Sequence, residues 1–375
     1  MPTWQPAFFL PNISVEEPIG CDAIAIASCE DERARQILDE TPALQQMSVN
    51  FTDPFGRKLK PSMLIFSKQA PKRLRNLDAV ASFRDLVAMS IVPPSRAQSM
   101  NHGHSFATYY SDFYDFYPWT INAQHNLLVC TTPALGGFHD PDLFKGQCTP
   151  GLSPVVIQAR DIDKTLLDAL IKRWLSGFGK TAWPDVALFR SLEMAVAASK
   201  MPAGADVTLH SLGRSVALWV SAFEILAHPE AASSDLNEVY KLLEKTPWNS
   251  RSQGRRRFKA YVTGKMIQQK ISSRKSLACW LYGEIYQARN DFLHGNRVRR
   301  NRLNVKKSGK NLFGYAPLLY RMALAAFLPL PGPLKRPAHT DIQAFSDWQR
   351  AEFDRSYHQG EIERALRTVR VRSKH

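Results

Sequence analysis

A chain of 375 residues, 44% hydrophobic and 22% charged, is long enough for two globular domains and should bury a substantial core. Its formal charge of +15 (49 Lys and Arg against 34 Asp and Glu) is strongly basic, and its five Cys (Cys21, Cys29, Cys130, Cys148, Cys279) lie far apart without a Cys-x-x-Cys pair. A disulfide framework, a zinc site and a cofactor are therefore not expected, and a reducing cytoplasm is the expected location.

In chain order, Met1 to Pro6 has no basic region ahead of an apolar stretch, and the run Phe8-Phe9-Leu10 stops at Pro11, so no signal peptide is expected. Residues 1–160 read as a mixed α/β domain. Asp22–Ser28, Met63–Phe66, Leu127–Cys130 and Val155–Ile157 are short apolar runs suited to buried strands, while Asp31–Gln46 and Leu74–Met89 carry helical spacing. From Ser99 to Trp119 the chain is rich in aromatics, and packing is expected there. Pro133–Pro154, rich in Gly and Pro, reads as an exposed linker. Helices over Ile162–Leu175 and Val186–Ala198 open a second, helical domain spanning 161–335, followed by a helical and basic tail over 336–375. The fold class expected is α+β. The longest apolar segment, Met322–Leu330, contains Pro329 and is too short to span a bilayer, so no membrane partner is expected.

Three familiar signatures fail. Gly179-Lys180-Thr181 imitates the end of a P-loop, but the first glycine would fall at Trp174 and a helix precedes it. His102 and His104 have no carboxylate or Cys at ligand spacing, so no metal site is expected. Ser105, Ser153 and Ser211 lack the glycines of a nucleophile elbow.

The most specific pattern is Arg289-Asn290-Asp291-Phe292-Leu293-His294, with Gly295 and Asn296 after it. Arg presents a planar, permanently charged fork to phosphate oxygens, and His titrates near neutrality. Leu277, Trp280, Leu281, Ile285, Ala288 and Phe292 recur at spacings of three and four, which predicts a helix with one buried face. At about 100° per residue, Asn290 and His294 lie roughly opposite that stripe, with Arg289 on its flank. Gly295 is suited to end the helix, which puts His294 in the last turn, where the macrodipole favours a cation.

An Arg followed by a polar residue, with a His five positions after the Arg, resembles the motif of HEPN domains. Ile285–Arg289 leading to His294-Gly295 is similar to the Apea-like branch. Val216–Leu226, an apolar run holding Glu224, resembles the family's earlier core helix, and Leu312–Leu328 its closing helix, so the resemblance covers about residues 205–330. It implies an α-helical bundle that dimerises so that two motifs share a cleft, and a metal-independent endoribonuclease leaving 2′,3′-cyclic phosphate. His294 would then activate the ribose 2′-hydroxyl or protonate the leaving 5′-oxygen, Arg289 would stabilise the phosphorane and Asn290 would orient the site. Glu224 is either a supporting acid or a half-buried carboxylate pairing with a nearby cation.

Charge points to a nucleic-acid partner independently of the resemblance. Residues 251–310 hold 17 Lys and Arg against two acids, Glu284 and Asp291, a surplus of 15 equal to that of the whole chain. The densest clusters, Arg255-Arg256-Arg257 and Arg297, Arg299, Arg300 and Arg302, are expected to bind RNA and line the approach to His294. The resemblance, and not the charge, implies a toxin-like or anti-phage endoribonuclease, with the N-terminal domain sensing a trigger or restraining the dimer and an antitoxin or phage-derived trigger as a further partner; the alternative is a non-catalytic module that binds nucleic acid or holds an assembly.

Overall fold

The computed structural model describes residues 3–11, 13–49, 51, 55–102, 119–121, 128–130, 157–200, 208–230, 235–294, 296–305, 311–338 and 341–367. The protein is α+β. Of the described residues, those up to Arg84 and those from 119 to 161 form one compact unit; Asp85 to His102 and Ile162 onward form a second.

The first unit is built on an antiparallel sheet in the order β1–β4–β3–β2, from β1 (Trp4–Leu10), β2 (Ile19–Gly20), β3 (Ile24–Ser28) and β4 (Ser62–Ser67). β3 and β4 are the apolar runs legible in the sequence. β1 was not expected as a strand: it contains Pro6, which cannot donate to a ladder. The strand tolerates it at the sheet edge, with a bulge between Pro6 and Phe8. Phe9, Ala25, Ala27, Met63 and Ile65 pack with Ile37, Leu44 and Phe51, while the alternate residues Leu10, Ile24, Ile26 and Leu64 are fully buried as well, so both sheet faces are covered. The single helix expected over Asp31–Gln46 is instead two, α1 (Glu32–Glu40), capped by Asp31, and α2 (Pro42–Ser48). Pro42 disfavours helical backbone at Thr41 but suits the first position of a new helix.

Two further strands, β5 (Trp119–Ile121) and β6 (Leu128–Cys130), pair antiparallel. Of the strand expected at Val155–Ile157 only Ile157 is described, in a bridge to Ile13. The segments 103–118 and 131–156, which include most of the aromatic run and the Gly/Pro stretch, lie outside the described residues.

α3 (Leu77–His102) runs past the expected end at Met89, straight through Pro93 and Pro94. Pro94 has no N–H for the Ser90 carbonyl four residues back, and the amide of Asp163 fills the gap at 2.9 Å. The C-terminal part of α3 thereby belongs to the second unit.

That unit is helical: α4 (Lys164–Gly177), α5 (Trp183–Ser199), α6 (Leu209–Leu226), α7 (Leu236–Glu244), the short α8 (Arg251–Arg255) and α9 (Gly264–Gln268), α10 (Leu277–Leu293), α11 (Leu312–Phe327) and α12 (Ile342–Arg367). Asp163, Thr208, Asp235 and Ser276 cap α4, α6, α7 and α10 through side-chain oxygens. α5 and α6 run antiparallel, Ser191 bonding to Ala222 O and Ser215 to Ala198 O. Trp219, Phe223, Tyr282 and Tyr320 form the aromatic centre, and the Tyr320 hydroxyl meets Ser191 at 2.6 Å. On α11, Arg321 is only 3% exposed and lies 2.7 Å from the fully buried Asp163, with Gln359 of α12 as a further partner.

The separate tail expected after residue 335 is not what forms: α12 belongs to the helical unit. Ile362, Ala365 and Leu366 are fully buried, and Glu363 accepts the backbone amides of Asn249 and Ser250 at 2.6 and 3.1 Å.

Candidate functional site at the end of α10

α10 is more buried than a one-faced helix: from Leu277 to Ile285 every residue is buried, and only its last two turns emerge. It runs antiparallel to α6, with Tyr282 against Phe223 (4.8 Å between ring centroids) and Phe292 against Gly213. A Cβ at Gly213 would lie 2.4 Å from the Phe292 ring, so only glycine allows this approach.

Side chains on a helix tilt toward its N-terminus, so in an antiparallel pair those near the two C-termini lean toward one another. Arg289 of α10 and Glu224 of α6 meet in this way, Nη2 to Oε2 at 3.5 Å, each about four-fifths buried. Arg289 Nη1 donates to Asn290 Oδ1 at 2.9 Å, and its guanidinium stands 5.6 Å over the Tyr286 ring. Burial pushes the Glu224 carboxyl above the usual glutamate range, Arg289 pulls it back down and Asp235 adds a smaller upward push. Tyr286 is also raised, first by burial and then by Glu224, against the opposing pull of Arg289 and of a hydrogen bond to Asn290. The result is a cation held by a carboxylate, an amide and an aromatic face, with donors of its five-N–H fork left for an incoming anion.

His294 is exposed and sits one residue past the helix, its amide bonding to Asn290 O at 3.0 Å. Among the described residues no hydrogen bond or ion pair engages its imidazole, so one chain holds Arg289 and His294 at the same helix end without joining them. Gly295 lies outside the described residues. Asn296 N closes the turn on Asp291 O at 3.1 Å.

The seven arginines assigned to RNA divide. Arg302 turns inward, donating to Asp291 at 2.5 Å and lying 3.8 Å from Glu284, which fastens a 3-10 turn (Arg300–Leu303) onto α10. With 18% of its side chain exposed, it is an internal counter-ion and not the outward cation expected. Arg257 lies 3.6 Å from Glu244, whose other oxygen accepts the Ser276 amide at 2.8 Å. That contact places Arg257 at the N-terminal end of α10, opposite His294, and not beside it as expected. Arg255, Arg256, Arg297 and Arg299 are exposed, with no carboxylate partner among the described residues. The Arg300 side chain lies outside the description.

Sequence patterning missed Tyr286, although an aromatic three residues before an arginine on one helix is a readable signal. His104, Ser105 and Ser153 lie outside the described residues. Gly179-Lys180 links two helices, and His102 lies 3.6 Å from Glu361. No cluster of three potential metal ligands occurs among the described residues. Burial pushes the Cys29 thiol up to about 11 and the Cys279 thiol up to about 12, which keeps both protonated at neutral pH. An open groove of about 760 Å³ lies between α4 and the segment 327–331, with Asp168 raised by burial. Among the described residues no helix is long and apolar enough to cross a membrane. No family model, curated protein or solved structure matches the chain.

Proposed function

We propose that the protein is a HEPN-like endoribonuclease that cleaves RNA without a metal ion and leaves 2′,3′-cyclic phosphate ends. The observation that carries the reading is the Arg289 fork, braced by Glu224, Asn290 and Tyr286 and still partly exposed, at the same helix end as the exposed imidazole of His294. In the reaction the ribose 2′-oxygen bonds to phosphorus and the P–O5′ bond breaks. His294 takes the 2′ proton or delivers one to the 5′-oxygen, Arg289 holds the charge of the phosphorane and Asn290 fixes Arg289. Leu293, 59% exposed beside His294, offers an apolar contact for a homodimer in which two such ends share one cleft. A toxin-like role, restrained by an antitoxin or released by a phage-derived trigger, belongs to the same reading.

The test is cleavage of total RNA and tRNA in EDTA by wild type and His294→Ala, with the product 3′ ends analysed. Loss of the acid/base should lower the rate by roughly 10²- to 10⁴-fold while RNA affinity changes little. A second reading, a non-catalytic binding or assembly module, is favoured by the lack of any bond between His294 and Arg289 within one chain. It requires RNA binding without cleavage by either protein.

A further inference from the structure

Between α8 and α10 the chain forms a two-stranded ribbon, β7 (Phe258–Lys259) and β8 (Arg274–Lys275), in which Phe258 pairs with Lys275 and Lys259 with Arg274. Strand alternation sends the first pair inward: Phe258 lies 6.1 Å from the Trp280 ring of α10, and Lys275 Nζ is 5.7 Å over Tyr240. The second pair faces solvent, and both of its members are exposed. Directly opposed residues on one face of an antiparallel pair have Cβ atoms about 4.5–5.5 Å apart, and like charges there are destabilising. Neither Lys259 nor Arg274 has a carboxylate within ion-pair range among the described residues. Arg256, whose guanidinium stands 5.5 Å over the Phe258 ring, and the exposed Arg255 extend the same unneutralised surface.

Water and mobile counter-ions screen such an exposed cation pair, and a polyanion that takes their place gains by releasing them. We infer that the solvent face of this ribbon, centred on Lys259 and Arg274 with Arg255 and Arg256 beside it, is a phosphate-backbone contact surface for RNA, separate from the Arg289–His294 end of α10. Backbone phosphates ask only for well-placed cations. A protein partner asks for a buried aromatic or aliphatic anchor, and the ribbon's aromatic is turned inward onto Trp280. The ribbon packs on Trp280, nine residues before Arg289 and fourteen before His294, so at about 1.5 Å per residue it stands roughly 13 to 21 Å from the motif along the axis of α10. An RNA engaging both must run the length of the helix, and the ribbon then anchors the strand at a distance from the scissile bond. This inference rests on the endoribonuclease reading for the identity of the polymer, though not for the surface itself.

The experiment measures binding of a fluorescein-labelled, mixed-sequence single-stranded RNA of 30 nucleotides by anisotropy, in EDTA, across a salt series. The His294→Ala protein is compared with His294→Ala carrying Lys259→Gln and Arg274→Gln, and cleavage by otherwise wild-type protein with and without the ribbon pair is followed in parallel. Both ribbon side chains are exposed, so the fold is expected to be retained, with unfolding curves as the check. The expected result is a salt-dependence slope shallower by about 1.4, two cations at about 0.7 each on a single strand. An unchanged slope with cleavage intact overturns the ribbon inference and leaves the nuclease reading standing. A shallower slope without cleavage by any variant upholds the ribbon and overturns the nuclease. Absence of RNA binding in the parent protein overturns both, whereas RNA binding retained by the ribbon variant together with loss of its binding to poly-glutamate overturns the ribbon inference alone and reassigns the ribbon to an acidic protein.

Discussion

The two ends of α10 divide their cations between inward pairs and solvent in different proportions, and Arg297 and Arg299 at the C-terminal end stay exposed. At the C-terminal end, Arg289 and Arg302 lean on Glu224, Glu284 and Asp291 at 2.5 to 3.8 Å. At the N-terminal end Lys259, Arg274, Arg255 and Arg256 meet no carboxylate among the described residues, and Arg257 alone is paired, with Glu244. Residues 251–310 carry a surplus of 15 positive charges in the sequence, but two of the acids that answer them, Glu224 and Glu244, fold in from α6 and α7. Segment charge thus counts Arg289, Arg302 and Arg257, which carboxylates answer, together with Arg297, Arg299 and the ribbon cations, which meet none among the described residues. The difference assigns cations to two tasks: inward ones fix geometry, and outward ones attract polyanions over a range set by salt.

The inward class is sharpened by its most buried member. Asp163→Ala strips Arg321 of its carboxylate inside the core and also removes the cap of α4, and leaving one charge of such a pair uncompensated costs about 3–5 kcal/mol. Urea unfolding should record a loss of that size, and Arg321→Met a comparable one, because it leaves the fully buried Asp163 carboxylate without its cation. Arg302→Gln leaves Asp291 and Glu284 facing each other without their cation, and a loss of roughly 1–3 kcal/mol is expected. Gly213→Ala tests whether the motif end is held by packing as well as by charge. Its methyl group must displace Phe292, an overpacking cost of about 1–3 kcal/mol, and RNA cleavage should fall with it. A cleavage rate unchanged by Gly213→Ala would detach Phe292 from the positioning of the motif.

Local chemistry explains what could be read in advance. β3 and β4 announce themselves as apolar runs, and α4, α5 and α10 by apolar spacing. What was illegible depends on partners remote in sequence. α3 continues through Pro93 and Pro94 because the amide of Asp163 takes up the orphaned Ser90 carbonyl. α12 joins the helical unit through Glu363 and the amides of Asn249 and Ser250, contacts to which no periodicity points. At the site, the Arg289–His294 spacing was plain, but the bracing of Arg289 by Glu224 follows only from the antiparallel packing of α6 on α10. Arg302 and Arg299 look alike in the sequence, and they part company because one faces Asp291 and the other faces solvent.

The Glu224–Arg289 pair gives a smaller, pH-dependent effect. The folded-state pKa of Glu224 is raised, so the stability this group contributes is fully present below the ordinary glutamate range and is lost as pH rises through the raised value. Arg289 opposes that rise, so Arg289→Met should push the carboxyl higher and steepen the loss of stability between acid and neutral pH. Glu224→Gln should flatten it. Unfolding curves collected at closely spaced pH values would detect either change. Identical pH profiles for wild type and Arg289→Met would mean that the 3.5 Å contact does not couple the two groups.

At the outward end, the smallest stability effect carries the most specific sign. Replacing an exposed residue away from caps and cores usually shifts stability by no more than about 0.5 kcal/mol in either direction, but an opposed like-charge pair should give a consistent gain. Lys259→Gln and Arg274→Gln should each stabilise by a few tenths of a kcal/mol at low salt. Either one relieves the same repulsion, so the double variant should gain less than the sum of the two. Added salt screens exposed charges, and the gains should fade as ionic strength rises. Strictly additive, salt-independent effects would show that the two side chains do not sense each other across the ribbon, and the case for a ligand that completes the pair would fall with them.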